Sequence, residues 1–212
     1  YIDGGSQAAI RYGVYALQRA EVLGKANTDL DIHEKPYYEY RILNHWDNLD
    51  DTVERGYAGL SMWEWTAKEI PAKRIHHYGE LCASVGLNGA VLNNVNANPL
   101  ILDKEHIERV AQIANILREY GITTYLSIKW TSPITLDGLK SGDPLDPKVR
   151  QWWKNKASEI YAAIPDFGGF LVKANSEGQA GPQDYGRTHA DGANMLAEAV
   201  APYGGIIMWR AF

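Results

Sequence analysis

The segment Phe170-Leu-Val-Lys-Ala-Asn-Ser-Glu-Gly-Gln-Ala-Gly-Pro182 carries an apolar run straight into Lys173, Asn175, Glu177 and Gln179. Gly178 and Gly181 let the chain turn sharply there. A carboxyl at the end of a strand, flanked by backbone-permissive residues, is well placed as a general acid or base. The same spacing also fits a Lys173–Glu177 salt bridge with no chemistry. That pairing is favoured at i,i+4 on a helix, whereas this segment reads as strand and loop. Arg210 closes a second apolar run, after Trp209, and a guanidinium suits bidentate capture of a planar carboxylate. Lys173 and Arg210 at one pocket repel unless an anion lies between them, and pairing of each with a protein carboxylate fits the spacing equally well. Trp46, with Asp47 and Asn48, ends an earlier run and could stack on a sugar face or pack at a rim. Asn93, Asn94, Asn96 and Asn98 suit hydroxyl recognition but are also common turn formers. His76 and His77 read as an exposed helix face, and Cys82 as apolar packing. No H-E-x-x-H, G-x-S-x-G or P-loop motif is present.

Placing these groups requires a regular frame, and the sequence repeats one. Strand-like runs end near residues 46, 94, 129, 174 and 210, and helical stretches lie between them at about 72–85, 104–120, 147–163 and 190–202. The stretch at 104–120 is the clearest, with Ile107, Val110, Ala111, Ile113, Ala114 and Leu117 as its apolar stripe. Residues 1–25 also read as a helix with a lead-in, and 26–40 as a linker or short strand. Alternating strands and helices argue for a parallel sheet. A doubly wound sheet wants a Gly-rich phosphate turn after its first strand, and His45-Trp-Asp-Asn-Leu-Asp50 offers none. Polar and aromatic groups at the C-terminal end of every strand are instead the arrangement of a (β/α)8 TIM barrel. Such a barrel takes about 250 residues, so the chain supplies an incomplete barrel of about five strands and reads as a piece of a larger protein.

Composition narrows the function. The 212 residues are 45% hydrophobic and 22% charged, with a net charge of −5, so nucleic acid and anionic membrane surfaces are poor partners. The single cysteine excludes an internal disulfide and a Cys-based metal site, and no cofactor or metal is called for. Apolar runs are too short to span a bilayer. Seven Trp and 13 Tyr stand against 3 Phe, a balance suited to sites that both stack and hydrogen-bond, such as sugar clefts. The cellular compartment stays open between intracellular, periplasmic and secreted.

Several long motifs carry a resemblance. Arg41 to Asp50, Val53-Glu-Arg-Gly-Tyr-Ala-Gly59, Val91 to Pro99, Asp143-Pro-Leu-Asp-Pro147, Phe170 to Pro182 and Asp184 to Asn194 together resemble the xylan α-glucuronidases of glycoside hydrolase family 67. The resemblance covers nearly the whole chain. It implies that residues 1–35 are the end of an N-terminal α/β domain with its linker, and that 36–212 begin the catalytic barrel. It further implies inverting hydrolysis of the α-1,2 bond that joins glucuronic acid, or its 4-O-methyl ether, to a xylooligosaccharide. On this basis the partners are glucuronoxylan-derived oligosaccharides, and the parent is a homodimer. By motif match Glu177 is the general acid, Lys173 and Arg210 grip the uronate carboxylate, and Trp46 and Val95 wall the sugar pocket. The family's base carboxylates follow later strands, beyond residue 212. One departure is Ala180, where the family commonly has Pro after Glu-Gly-Gln; it removes no reacting group. Two other readings remain: a barrel enzyme using Lys173 as a Schiff-base lysine, and a fragment that binds sugar without turnover.

Overall fold

A computed structural model describes residues 1–25 and 30–210. Five strands, β1 (Ile42–Asn44), β2 (Gly89–Val91), β3 (Thr123–Ile128), β4 (Gly169–Lys173) and β5 (Ile206–Arg210), form one sheet in the order β1-β2-β3-β4-β5. Every pairing is parallel. The sheet curls into an incomplete α/β barrel with helices on its outside. Helices α1 (Gln7–Val22), α2 (Ala72–Ser84), α3 (Lys104–Glu119), α4 (Ser132–Asp137), α5 (Pro147–Ala163) and α6 (His189–Val200) complete it.

The crossover helices begin where their caps dictate. Asp103 accepts from the His106 amide to open α3, Asp146 precedes Pro147 at the start of α5, and Thr188 forms a reciprocal capping box with Asp191 at α6. The stripe expected on α3 faces the core: Ile107, Val110, Ile113, Ala114 and Leu117 are buried. Burying that stripe, with Trp152 and Trp153 of α5 and Leu196 of α6, against the outer face of the sheet forms the main core. β4 is buried along its whole length, as expected of a central parallel strand covered on both faces.

Strand alternation gives the sheet a second face. Val91, Tyr125 and Leu171 point inward and pack with Val95, Trp46, Ile42, Ile206 and Met208 in a smaller cluster separate from the main core. Lys173 lies two residues beyond Leu171 and so shares this inner face.

Two further expectations hold and one needs correction. The helix expected within residues 1–25 is α1, although its apolar positions Ile10, Val14 and Val22 are exposed and of its residues only Ala20 is buried. Of the linker or short strand expected at 26–40, the described part, residues 30–40, is a linker without a strand; 26–29 lie outside the described residues. His76 is not simply exposed, since its Nδ1 lies 3.1 Å from the Tyr120 hydroxyl; His77 is exposed as expected.

Candidate active site

With all strands parallel, their C-terminal ends open at one end of the sheet. There β4 and β5 pair in register with Lys173 opposite Arg210. Directly opposed residues project to the same face, so the two cations stand side by side on the inner face. The Arg210 guanidinium also lies over the Trp46 ring, 5.9 Å from its centroid. Trp46 is half-buried, and Val95 beneath it is 1% exposed. The residues expected as acid, clamp and wall therefore converge on one site.

Lys173 is buried. Its ammonium donates to Asn96 Oδ1 at 2.9 Å and to Glu177 Oε2. The ion pair seen as an alternative in the sequence is thus present, on the strand and loop that the sequence indicated. A left-handed turn makes it: Asn175 and Glu177 have φ of 52° and 47°, and Gly178 has 76°. Gly181 works differently from the sharp turn expected of it. Its backbone is extended, with φ −161°, and its role is close approach: a Cβ there would lie 2.3 Å from Asn175 Oδ1 and 2.7 Å from Ala174 Cβ. Asp184 clips the loop by accepting from the Gly181 amide at 2.8 Å and from Asn175 Nδ2 at 3.0 Å, while Asn175 Oδ1 accepts from the Gln183 amide. Arg187 joins the loop's far end to Asp143 through a bidentate ion pair.

The sequence matches the glycosyl hydrolase family 67 middle domain over residues 21–212. The chain belongs to this family. It is 44% identical over 213 residues to a protein of Aspergillus terreus named probable alpha-glucuronidase A, covering 100% of this chain and 25% of that protein. It is also 44% identical over 217 residues to alpha-glucuronidase A of Emericella nidulans, covering 100% and 26%. The chain thus spans about a quarter of the length of the curated relatives it matches. A solved structure of a GH5_18 from Streptomyces cattleya in complex with GlcNAc aligns over 80% of this chain and 44% of that one, at 13% identity and a TM-score of 0.45.

In this family 67 chain the electrostatics centre on Glu177. The Lys173 ammonium, by hydrogen bond and by charge, holds the Glu177 carboxyl below the ordinary glutamate value, and Arg55 and Arg210 add to the effect. Arg55 bridges two carboxylates: its guanidinium lies 3.1 Å from Glu54 Oε1 and 3.7 Å from Glu177 Oε1. Both residues belong to the loop after β1, and sequence reasoning gave neither a role. The four asparagines divide. Asn93 exchanges two hydrogen bonds with the Ser127 backbone and so extends the β2–β3 ladder by a side chain. Asn94 donates to Asn48 and to the Glu54 carbonyl, and Asn98 caps a short turn. Only Asn96 serves a site residue, Lys173.

Asp47 is committed elsewhere. It is 4% exposed and accepts from Ser61 Oγ at 2.7 Å and the Met62 amide at 2.8 Å, with His45 Nδ1 3.5 Å away. Burial alone pushes its carboxyl up, but these partners outweigh burial and hold it below the ordinary aspartate value. His45 in turn meets the Tyr78 hydroxyl at 2.7 Å and packs edge-on against Trp63. This network fixes the end of β1, and with it Trp46.

Proposed function

We propose that this chain forms the uronate-binding and proton-donating half of an α-glucuronidase. The reaction is hydrolysis of the α-1,2 bond between glucuronic or 4-O-methylglucuronic acid and a xylooligosaccharide, with inversion. The observation that carries the reading is the in-register pair Lys173 and Arg210 on one face of the sheet, with Glu177 in contact with Lys173. Two cations fixed side by side match one planar carboxylate of a sugar acid, and Trp46 offers an apolar wall for its ring. Glu177 donates the proton to the leaving xylose oxygen. A base on the opposite face, about 6.5–9.5 Å from the acid, activates water; it is assigned to the parent protein beyond these residues. The relatives' names support a glucuronidase.

The Schiff-base alternative fits less well. Lys173 is ion-paired with Glu177, and a paired ammonium has no lone pair to attack a carbonyl. The test is to incubate the full-length protein with aldotriouronic acid and follow the anomeric proton of the first product by NMR. Release of β-glucuronate is expected. Release of the α-anomer overturns inversion, and absence of release overturns the reading.

A further inference from the structure

Glu177 covers the cation it is meant to work beside. The Lys173 side chain is 1% exposed and the Glu177 side chain 59% exposed, so the carboxylate lies on the solvent side of the ammonium. Among the described residues Glu177 is the carboxylate that neutralises Lys173. The other partner, Asn96, is neutral and approaches from the loop after β2. A sugar carboxylate that approaches the buried Lys173 from solvent therefore meets Glu177 first.

We propose that the uronate carboxylate displaces Glu177 from Lys173, and that this exchange is what readies Glu177 to protonate the leaving group. The proposal rests on the glucuronidase reading and deepens it: the substrate's own charge switches the acid on. Before binding, Glu177 faces Lys173 from β4, Arg210 from β5 and Arg55 from the loop after β1, all of which favour its ionised form. After the exchange the incoming carboxylate neutralises Lys173 and Arg210 and places a negative charge beside Glu177. Both changes favour the protonated form, since an anion nearby disfavours a second one. The proton is taken from solvent; no bond of the sugar is made or broken in this step. The left-handed conformations of Asn175 and Glu177 are costly for residues with a side chain, and the Lys173–Glu177 contact and the Asp184 clip hold the loop in them despite that cost.

A neutral sugar of the same shape gains nothing from displacing Glu177. It leaves the carboxylate on Lys173, ionised and unable to donate. Selectivity for the charged sugar then appears in turnover as well as in binding.

The experiment is calorimetry of D-glucuronate binding to the full-length protein at mildly acidic pH, repeated in buffers of different ionisation enthalpy so that proton uptake is read directly. Net uptake of a proton fraction is expected with wild-type protein. In Glu177→Gln the uptake is lost, while glucuronate still binds, and at least as tightly, because no carboxylate has to be displaced. D-glucose should cause no uptake in either protein. Glucuronate binding with the same proton count in wild type and Glu177→Gln overturns the exchange and leaves the glucuronidase reading standing. Failure of glucuronate to bind either protein overturns both.

Discussion

The acid role proposed for Glu177 makes separate demands on position and on protonation. Its place in the loop just after β4 suits proton donation, yet the Lys173 contact favours its carboxylate form in the free site. The role predicts a substrate-dependent defect. In the full-length protein, Glu177→Gln should lower kcat/KM on xylooligosaccharide substrates by about 10²–10⁴. Activated aryl glucuronides, whose leaving groups need little protonation, should lose far less, and equal loss on both argues against the acid role. At this scale the sequence was only partly legible. Lys173, Glu177 and Arg210 stood out because charged groups terminate apolar runs. Asn96 did not, because an asparagine that orients a lysine and one that closes a turn look alike in sequence. Arg55 and Glu54 lie in a loop without periodicity, where only folding shows that Arg55 reaches Glu177.

At the scale of elements, two loops position the site. The first follows β1 and is stitched by Asp47 to Ser61 and Met62. Asp47→Ala leaves those buried donors unpaired and should cost about 3 kcal/mol in urea unfolding at pH 7. The pH dependence has a definite sign. A carboxyl held below its ordinary value stabilises the fold above the unfolded value, 3.8 for aspartate, and loses that contribution as pH falls through the lower folded value. Asp47→Asn should therefore be less stable than wild type at pH 7, and the gap should narrow in acid; a gap that widens in acid contradicts the assignment. The second loop carries Glu177 over Gly181. Gly181→Ala forces a Cβ into Asn175 and Ala174 and should reduce kcat on glucuronides while costing about 1–3 kcal/mol of stability. Unchanged kinetics would mean that the loop's tight closure is dispensable. The helices were legible because capping residues and 3.6-residue stripes are local signals, and the helix expected at 147–163 matches α5 at both ends. The ordered stretch between β1 and α2 was not, since it is built from side-chain bonds across distant positions. The short helix α4 also escaped notice, being too brief to show a period.

For the whole molecule, the parallel sheet followed from the alternation of strands and helices and the barrel from the polar and aromatic groups that end the strands, and those residues come together because parallel strands share one functional end. The described residues hold one candidate acid, while Asp47, the buried carboxylate just after β1, is taken up by structural hydrogen bonds. The 212-residue chain alone should accordingly show no turnover of aldotriouronic acid beside a full-length protein, since loss of base activation alone is worth about 10²–10⁴ in rate. Substantial turnover by this chain would place a base within it, and Glu54, which shares Arg55 with Glu177, would be the residue to examine. The central claim, that Lys173 and Arg210 together bind a sugar carboxylate, is tested most directly by one comparison. It is kcat/KM of the full-length wild type and Arg210→Ala on a glucuronide and on its neutral glucoside analogue. The account predicts a loss of about 2–5 kcal/mol in transition-state binding for the glucuronide, because a buried carboxylate is left half-paired, with no comparable loss for the glucoside. Glucuronide hydrolysis unchanged by Arg210→Ala would contradict it.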